Sequence, residues 1–294
     1  MAELYPEDFI ALSYHFGNGG YEPMEITATV PWNESVLGEF QGFPSACLDR
    51  IKETDAYYGD TEDDFGIEQT WLDRCKEFAP ADIEVAAEWA DNGNDILVES
   101  KTTFAFRMEN NPYVVGYALV ADGLKGEDDN WAQANYYADG AYGYPKYMDT
   151  FSKGAGSVEG LVFNDVIIDN YAAQGVEKSL PGSVEADTAY PHQFKDFGYK
   201  YAVNTSKEPL IQDKGKLHVV AMLIDTRNGE VVNANKAKVT GLSAIKDADA
   251  PAGVAATSYY DLSGRKVLRP SNGMFIKSVL LKNGKTETSK TFVK

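Results

Sequence analysis

Cysteine and histidine are both scarce in this 294-residue chain. Two cysteines, Cys47 and Cys75, are too few for a disulfide framework. They make at most one bridge in an oxidising compartment, and otherwise serve as small buried hydrophobes. The three histidines, His15, His192 and His218, show none of the short His/Cys spacings of zinc sites. Each is therefore assigned a structural place, and no metal site and no cofactor is expected. A Gly-x-Ser-x-Gly elbow, a P-loop and a His-Glu-x-x-His pair are all missing, so no catalytic residue is named. No apolar run approaches the length of a bilayer span, which excludes a transmembrane helix. Met1 leads directly into Ala2-Glu3-Leu4-Tyr5-Pro6, without the basic and apolar stretches of a secretory signal. Positive charge is short as well. Lys and Arg number 27 against 45 Asp and Glu, a formal net charge of −18. Such a field repels polyanions, so nucleic acid is ruled out as a partner.

What is present reads mainly as β-structure. Phe9 to His15 is a short apolar run closed by Gly17-Asn18-Gly19-Gly20, which suits a buried strand and a turn. A second run follows Pro44, at the first position of a strand or in a turn, where a missing donor is tolerated. Ile67, Trp71, Cys75 and Phe78 share one helical face, and Pro80 closes that helix. From about residue 82 the period becomes two. Ile83, Val85, Ala87 and Trp89 alternate up to an Asn92-Gly93 hairpin turn, and Ile96, Val98, Ser100, Thr102, Phe104 and Phe106 return on one face. Further strands are read at 113–120, near 161–169, at 199–203, and as a hairpin of 217–224 with 230–239 about Asn228-Gly229. His192 is placed in a loop with Tyr190 and Pro191. About seven strands of this span fit an immunoglobulin-like β-sandwich.

Two acidic clusters, Asp60 to Asp64 and Glu127 to Asp129, could offer oxygens to calcium, but neither has the ligand pattern of an EF-hand. They are read as a solvated cap and loop. Between the third and fourth strands lies an aromatic stretch, 131–151, too long for an ordinary connection. Trp131, Tyr136, Tyr137, Tyr142 and Tyr144 are its candidate ligand contacts, because such rings stack on sugars or anchor protein interfaces. The bland alternative is that they cover a face of the sandwich. After a small polar linker, residues beyond 250 form short strands and tight turns, a β-unit of about 40 residues.

Three stretches resemble a known family, the Omp28-related surface proteins of Bacteroidetes. Residues 1–50 are similar to the second half of a thioredoxin-like unit, with a strand ending in His15 and then Phe43-Pro44. The resemblance implies a cis peptide at Pro44. Residues 82–240 resemble the family's β domain through Trp131-Ala132-Gln133-Ala134-Asn135-Tyr136-Tyr137, Gly160-Leu161-Val162-Phe163-Asn164-Asp165-Val166 and Leu217 to Asp225 with Glu230 to Ala234. The tail, with Asp261-Leu262-Ser263-Gly264-Arg265 and Gly273-Met274-Phe275-Ile276-Lys277, is similar to C-terminal sorting-type domains.

This resemblance implies a partial thioredoxin-like α/β segment over 1–80, a β-sandwich over 81–242, and a linker with a sorting-like unit over 243–294. It implies an extracytoplasmic location, at the outer-membrane surface or secreted, and a chain that starts downstream of its natural start. Family members often carry a Cys-x-x-Cys whose thiolate is activated at a helix start; here that motif is missing. The expected function is thus a non-catalytic binding or adhesion-type protein, with a protein or glycan partner at the cell surface. The alternatives are a thiol oxidoreductase whose catalytic half lies outside this chain, and a glycan-binding module using residues 131–151. Residues 1–50, with the unpaired run Phe9 to His15, are expected to pair with another chain, giving a homo-oligomer, or to pack on the sandwich.

Overall fold

The computed structural model describes residues 1–6, 8–17, 22–26, 45–54, 66–90, 93, 95–127, 129–138, 149–170, 172–198, 210–241, 254–260, 266–267, 273–281 and 286–293, some by backbone alone. Pro44, Tyr142, Tyr144, the segment 199–203 and the acidic run 60–64 lie outside the described residues.

The protein is mainly β. In chain order the elements are β1 (Ala46–Leu48), β2 (Lys52–Thr54), α1 (Gly66–Arg74), β3 (Ala81–Trp89), β4 (Asp95–Phe104), β5 (Tyr113–Ala121), β6 (Gln133–Ala134), α2 (Asp149–Ser152), β7 (Ser157–Val158), β8 (Val166–Asp169), β9 (Ala189–Gly198), β10 (Leu217–Asp225) and β11 (Val231–Thr240). A second compact unit, from Thr240 onward, holds β12 (Val254–Tyr260), β13 (Lys266–Val267), β14 (Gly273–Leu281) and β15 (Thr286–Val293) in a four-stranded sheet ordered β13-β12-β14-β15.

In the first unit seven strands share one sheet in the order β8-β5-β10-β11-β3-β4-β9. The hairpins follow from local chemistry. β3 and β4 pair from Ala81↔Phe104 to Trp89↔Ile96, and Gly93 between them has φ +66°. β10 turns into β11 through Gly229 at φ +81°, a conformation glycine adopts without a Cβ penalty. Along β4 the buried positions are Ile96, Val98, Ser100, Thr102 and Phe104, the face its alternation predicts; Phe106, expected on the same face, lies past the end of the strand and is exposed.

The sheet curls like a half-barrel, and one side chain shows this directly. Tyr117 on β5 reaches Ser100 on β4 and His192 on β9, although three strands separate β5 from β4 in the ladder. The concave side is the main core, built around Trp89, Ile96, Phe104, Tyr117, Leu119, Phe194, Phe197 and Leu223. β5 and β10 are buried on both faces. Their outer residues Ala118, Val120, Val220, Met222 and Ile224 form a second cluster with Ile167, covered by Ile10, Leu12 and Tyr14. Cover on both sides explains why these two strands read as continuous apolar runs. The same crowding leaves no room at Gly116, where a Cβ would stand 2.6 Å from Ile224 Cδ1 and 3.0 Å from the Ala173 carbonyl oxygen.

The sequence expectations hold in part. Phe9 to His15 is extended chain with isolated bridges, not a full strand: Ser13 bridges Val166 in parallel, and His15 bridges Glu25. This run packs on the outer face of the sheet, the second of the two arrangements expected for it. α1 stops at Arg74, short of Pro80, with Trp71 against Tyr5 (4.4 Å between ring centres) and Phe9 (5.9 Å). Beyond that end, Cys75 and Phe78 are exposed rather than on a buried face. Arg74 binds Asp49 at 2.8 Å and Glu230 at 2.7 Å, joining helix, β1–β2 turn and β10–β11 turn. His192 sits in strand β9, not in a loop. β9 is an edge strand, where a proline such as Pro191 can be accommodated because one side of the ladder makes no demand for its donor.

Candidate functional site

At one end of the outer face, three chain segments meet. β8, β5 and β10 are neighbours, and their registers set His218 opposite Val120, and Ala121 opposite both Leu217 and Val166. Asp122 follows the last residue of β5, and Asp165 precedes the first of β8. Antiparallel pairing therefore delivers two carboxylates and an imidazole to the same place from positions far apart in sequence. One donor atom from each of Asp122, Asp165 and His218 lies within 4.8 Å of the others.

The cluster is held by the backbone around it. The Asp165 amide donates to Asp122 Oδ1 at 2.8 Å, and the Asp165 carbonyl accepts from the Ser13 amide at 2.7 Å. Asp165 has φ +56°, a left-handed conformation that aspartate tolerates better than most residues. His218 Nδ1 lies 3.4 Å from Asp122 Oδ2, and Nε2 lies 3.9 Å from Asp165 Oδ1. That second separation is too long for a hydrogen bond. Nε2 is buried and makes no hydrogen bond within the protein, while the His218 side chain is 12% exposed and that of Asp122 39%. One edge of the cluster thus faces solvent and the other faces the outer-face cluster.

The two carboxylates differ. The imidazole of His218 beside it, with the Asp165 amide and the charge of Lys236, holds the Asp122 carboxyl below its ordinary range against the cost of burial. Burial pushes the Asp165 carboxyl up, and the neighbouring charge of Asp122 adds to the rise. Two anions in one half-buried space repel each other, a condition that a cation relieves. No short-range motif announces this cluster. Its only trace in the sequence is that each member adjoins an apolar strand, as in Val120-Ala121-Asp122, Asp165-Val166-Ile167 and Leu217-His218-Val219.

A second feature lies where the β4–β5 connection, residues near 182 and the β10–β11 turn come together. A groove of about 730 Å³ is lined by Phe106, Met108, Asn110, Pro112, Tyr113 and Arg227, among others. Asp225 fixes the Arg227 guanidinium, with Nε donating to Oδ1 at 2.9 Å and an outer nitrogen donating to Oδ2 at 2.5 Å. Phe78, 72% exposed, lies 6.0 Å from Phe106 between ring centres. Sequence reading missed this groove, because it is assembled from turns and not from a motif.

Of the expected aromatic contacts, the three among the described residues differ in burial. Trp131 is buried in the core, tilted against Phe163 at 6.3 Å. Tyr136 is 88% exposed and Tyr137 is half-buried. Asn135 organises their turn, donating to the carbonyls of Phe151 and Ala155 at 2.8 Å and accepting from the Tyr137 amide at 3.2 Å. Glu127 and Asp129, from the described part of the second acidic run, are exposed and belong to no grouping of metal-ligating side chains among the described residues. Cys47 and Cys75 are not joined in a disulfide, and the chain has no Cys-x-x-Cys, so the motif for thiol–disulfide catalysis is missing. Among the described residues no helix is long and apolar enough to cross a membrane.

No protein-family model matches the chain, and no curated protein matches it either. Among the solved structures similar to it are two from one organism. One is HBP35 of Porphyromonas gingivalis, 12% identical with a TM-score of 0.44, over 92% of this chain and 83% of that one. The other is a domain of the outer membrane lipoprotein Omp28 from Porphyromonas gingivalis, 15% identical with a TM-score of 0.25, over 56% of this chain and 92% of that one. What joins this chain to these two proteins is a remote structural likeness, short of membership in a family.

Proposed function

We propose that this protein is a non-catalytic binding protein of the cell surface, its curled sheet serving as an immunoglobulin-like scaffold and its last unit as a sorting-type domain. The thioredoxin-like reading of residues 1–80 and the extracytoplasmic location belong to the same proposal, and rest on the sequence resemblance. The observation that carries the binding role is the composition of the groove. Phe106, Met108, Pro112 and Tyr113 supply apolar and aromatic walls, and Asn110 and Arg227 supply polar edges. Such groups recognise a ligand without offering a nucleophile or a proton relay to transform it. The exposed Phe78–Phe106 pair extends that surface, and partly exposed aromatics are the usual anchors of recognition. The ligand this suits is a protein segment or glycan presenting one apolar face and a polar edge.

The test is binding of the full chain to a panel of surface proteins and a glycan array, repeated with Phe106→Ser. The expected result is at least one specific signal that the substitution removes while the melting temperature holds. A panel with no signal, or one indifferent to Phe106→Ser, sinks the proposal. A glycan surface within residues 131–151 is the second reading. Tyr136 favours it by its exposure, and loss of a glycan signal in Tyr136→Ala, but not in Phe106→Ser, would select it.

A further inference from the structure

We propose that Asp122, Asp165 and His218 form a binding site for a divalent transition cation of the zinc class. The first support is convergence. Three donors from three strand ends lie within 4.8 Å of one another. Ligands at about 2.0–2.2 Å from a zinc ion stand roughly 3–3.5 Å apart. Side-chain rotations alone close that difference, with the backbone already fixed by the Asp165–Asp122 and Ser13–Asp165 hydrogen bonds.

The second support is independent of the carboxylates. His218 Nε2 is buried and bonded to nothing in the protein, a costly position for a nitrogen in a half-polar pocket. The neighbouring ring nitrogen faces Asp122. Nε2 itself lies on the Asp165 side, 3.9 Å from Oδ1, and a cation there would give it the partner it lacks. The donor set chooses the ion. One imidazole and two carboxylates suit a first-row divalent cation, whereas calcium calls for six to eight oxygens. Solvent reaches the cluster from the Asp122 side, so water completes the coordination shell. A bound ion would clamp the end of β5 to the starts of β8 and β10, the place where Ser13 docks.

Isothermal titration of the full, chelator-stripped chain with zinc chloride tests the site. We expect one equivalent of tight binding above the weak background of an acidic surface. The affinity should fall at least tenfold in His218→Gln and in Asp165→Asn, and be unchanged in the control His15→Gln. Should either site variant fail to fold, nitrogen-15 spectra of the unaltered protein read the ligand directly: zinc should move the ring nitrogens of His218 and leave those of His192 in place. The absence of a stoichiometric event, binding that survives His218→Gln, or unmoved His218 nitrogens would each overturn the proposal.

Discussion

The hydroxyl of Tyr117 ties three strands of the main core together, β5, β4 and β9. It lies 2.7 Å from Ser100 Oγ and 2.7 Å from His192 Nδ1, and its ring stacks on those of His192 and Phe194 at 5.8 and 5.0 Å. Burial pushes the phenol up to about 12, against a smaller opposing effect of the Ser100 hydrogen bond. The group is therefore a neutral hydrogen-bonding pin and not an acid. Removing it in Tyr117→Phe keeps the packing but strands the Ser100 hydroxyl, which is fully enclosed. The loss of one such partner should cost about 1–3 kcal/mol. Denaturant unfolding measures this, and adding Ser100→Ala to Tyr117→Phe should restore part of the stability. Equal stability of Tyr117→Phe and the unaltered protein would mean the pair is not made. Sequence reading assigned Ser100 correctly to an inward face, yet put His192 in a loop. Proline at 191 weighed against a strand, and only an edge position, which a sequence does not display, makes that proline permissible.

Among the elements, the β10–β11 hairpin has the most strongly specified turn. Asp225 is buried, accepts from the Arg227 backbone amide at 3.0 Å, and holds the Arg227 guanidinium. That ion pair lowers the Asp225 carboxyl below its ordinary range in the folded protein, more than burial raises it. The unfolded chain then takes up this proton first as the solution is acidified. The contribution to stability is whole above the unfolded value of about 3.9 and is lost as pH falls from there through the folded value. Asp225→Asn keeps the turn's acceptor but removes the charge, so its melting temperature should lie below that of the unaltered protein at neutral pH and converge with it in acid. A constant gap between the two profiles at every pH would contradict this. The hairpin was legible beforehand from Arg227-Asn228-Gly229 between two apolar runs. β8 was less so. Its four residues are all buried, and a fully enclosed strand shows no alternation to read.

At the scale of the whole molecule, the chain divides near Thr240 into two compact units. A protein ending at Thr240 should keep cooperative unfolding and the near-ultraviolet dichroism of its packed aromatics. Loss of both on truncation would show that the first unit depends on the second. The mainly-β class was recoverable from period and turns because those signals are local, whereas β9 was read as a loop. The curl of the sheet was not, since it depends on which side chains meet across the core, as Tyr117 meets Ser100. The Asp122–Asp165–His218 cluster was hidden for the same reason. Its members are neighbours only through the pairing of β8, β5 and β10, and no spacing along the chain records that.

The two flanks of the seven-stranded sheet are unlike each other. Along β8, Ser13 of the same chain already engages Asp165 and Ile167, so a visitor there competes with an intramolecular tenant. Along β9, a visitor aligning with Pro191 meets a ring carbon where it would seek a hydrogen. Fibrillar stacking of copies, the standing hazard of an apolar β-protein, is thus discouraged at both ends by different means, one by occupation and one by chemistry.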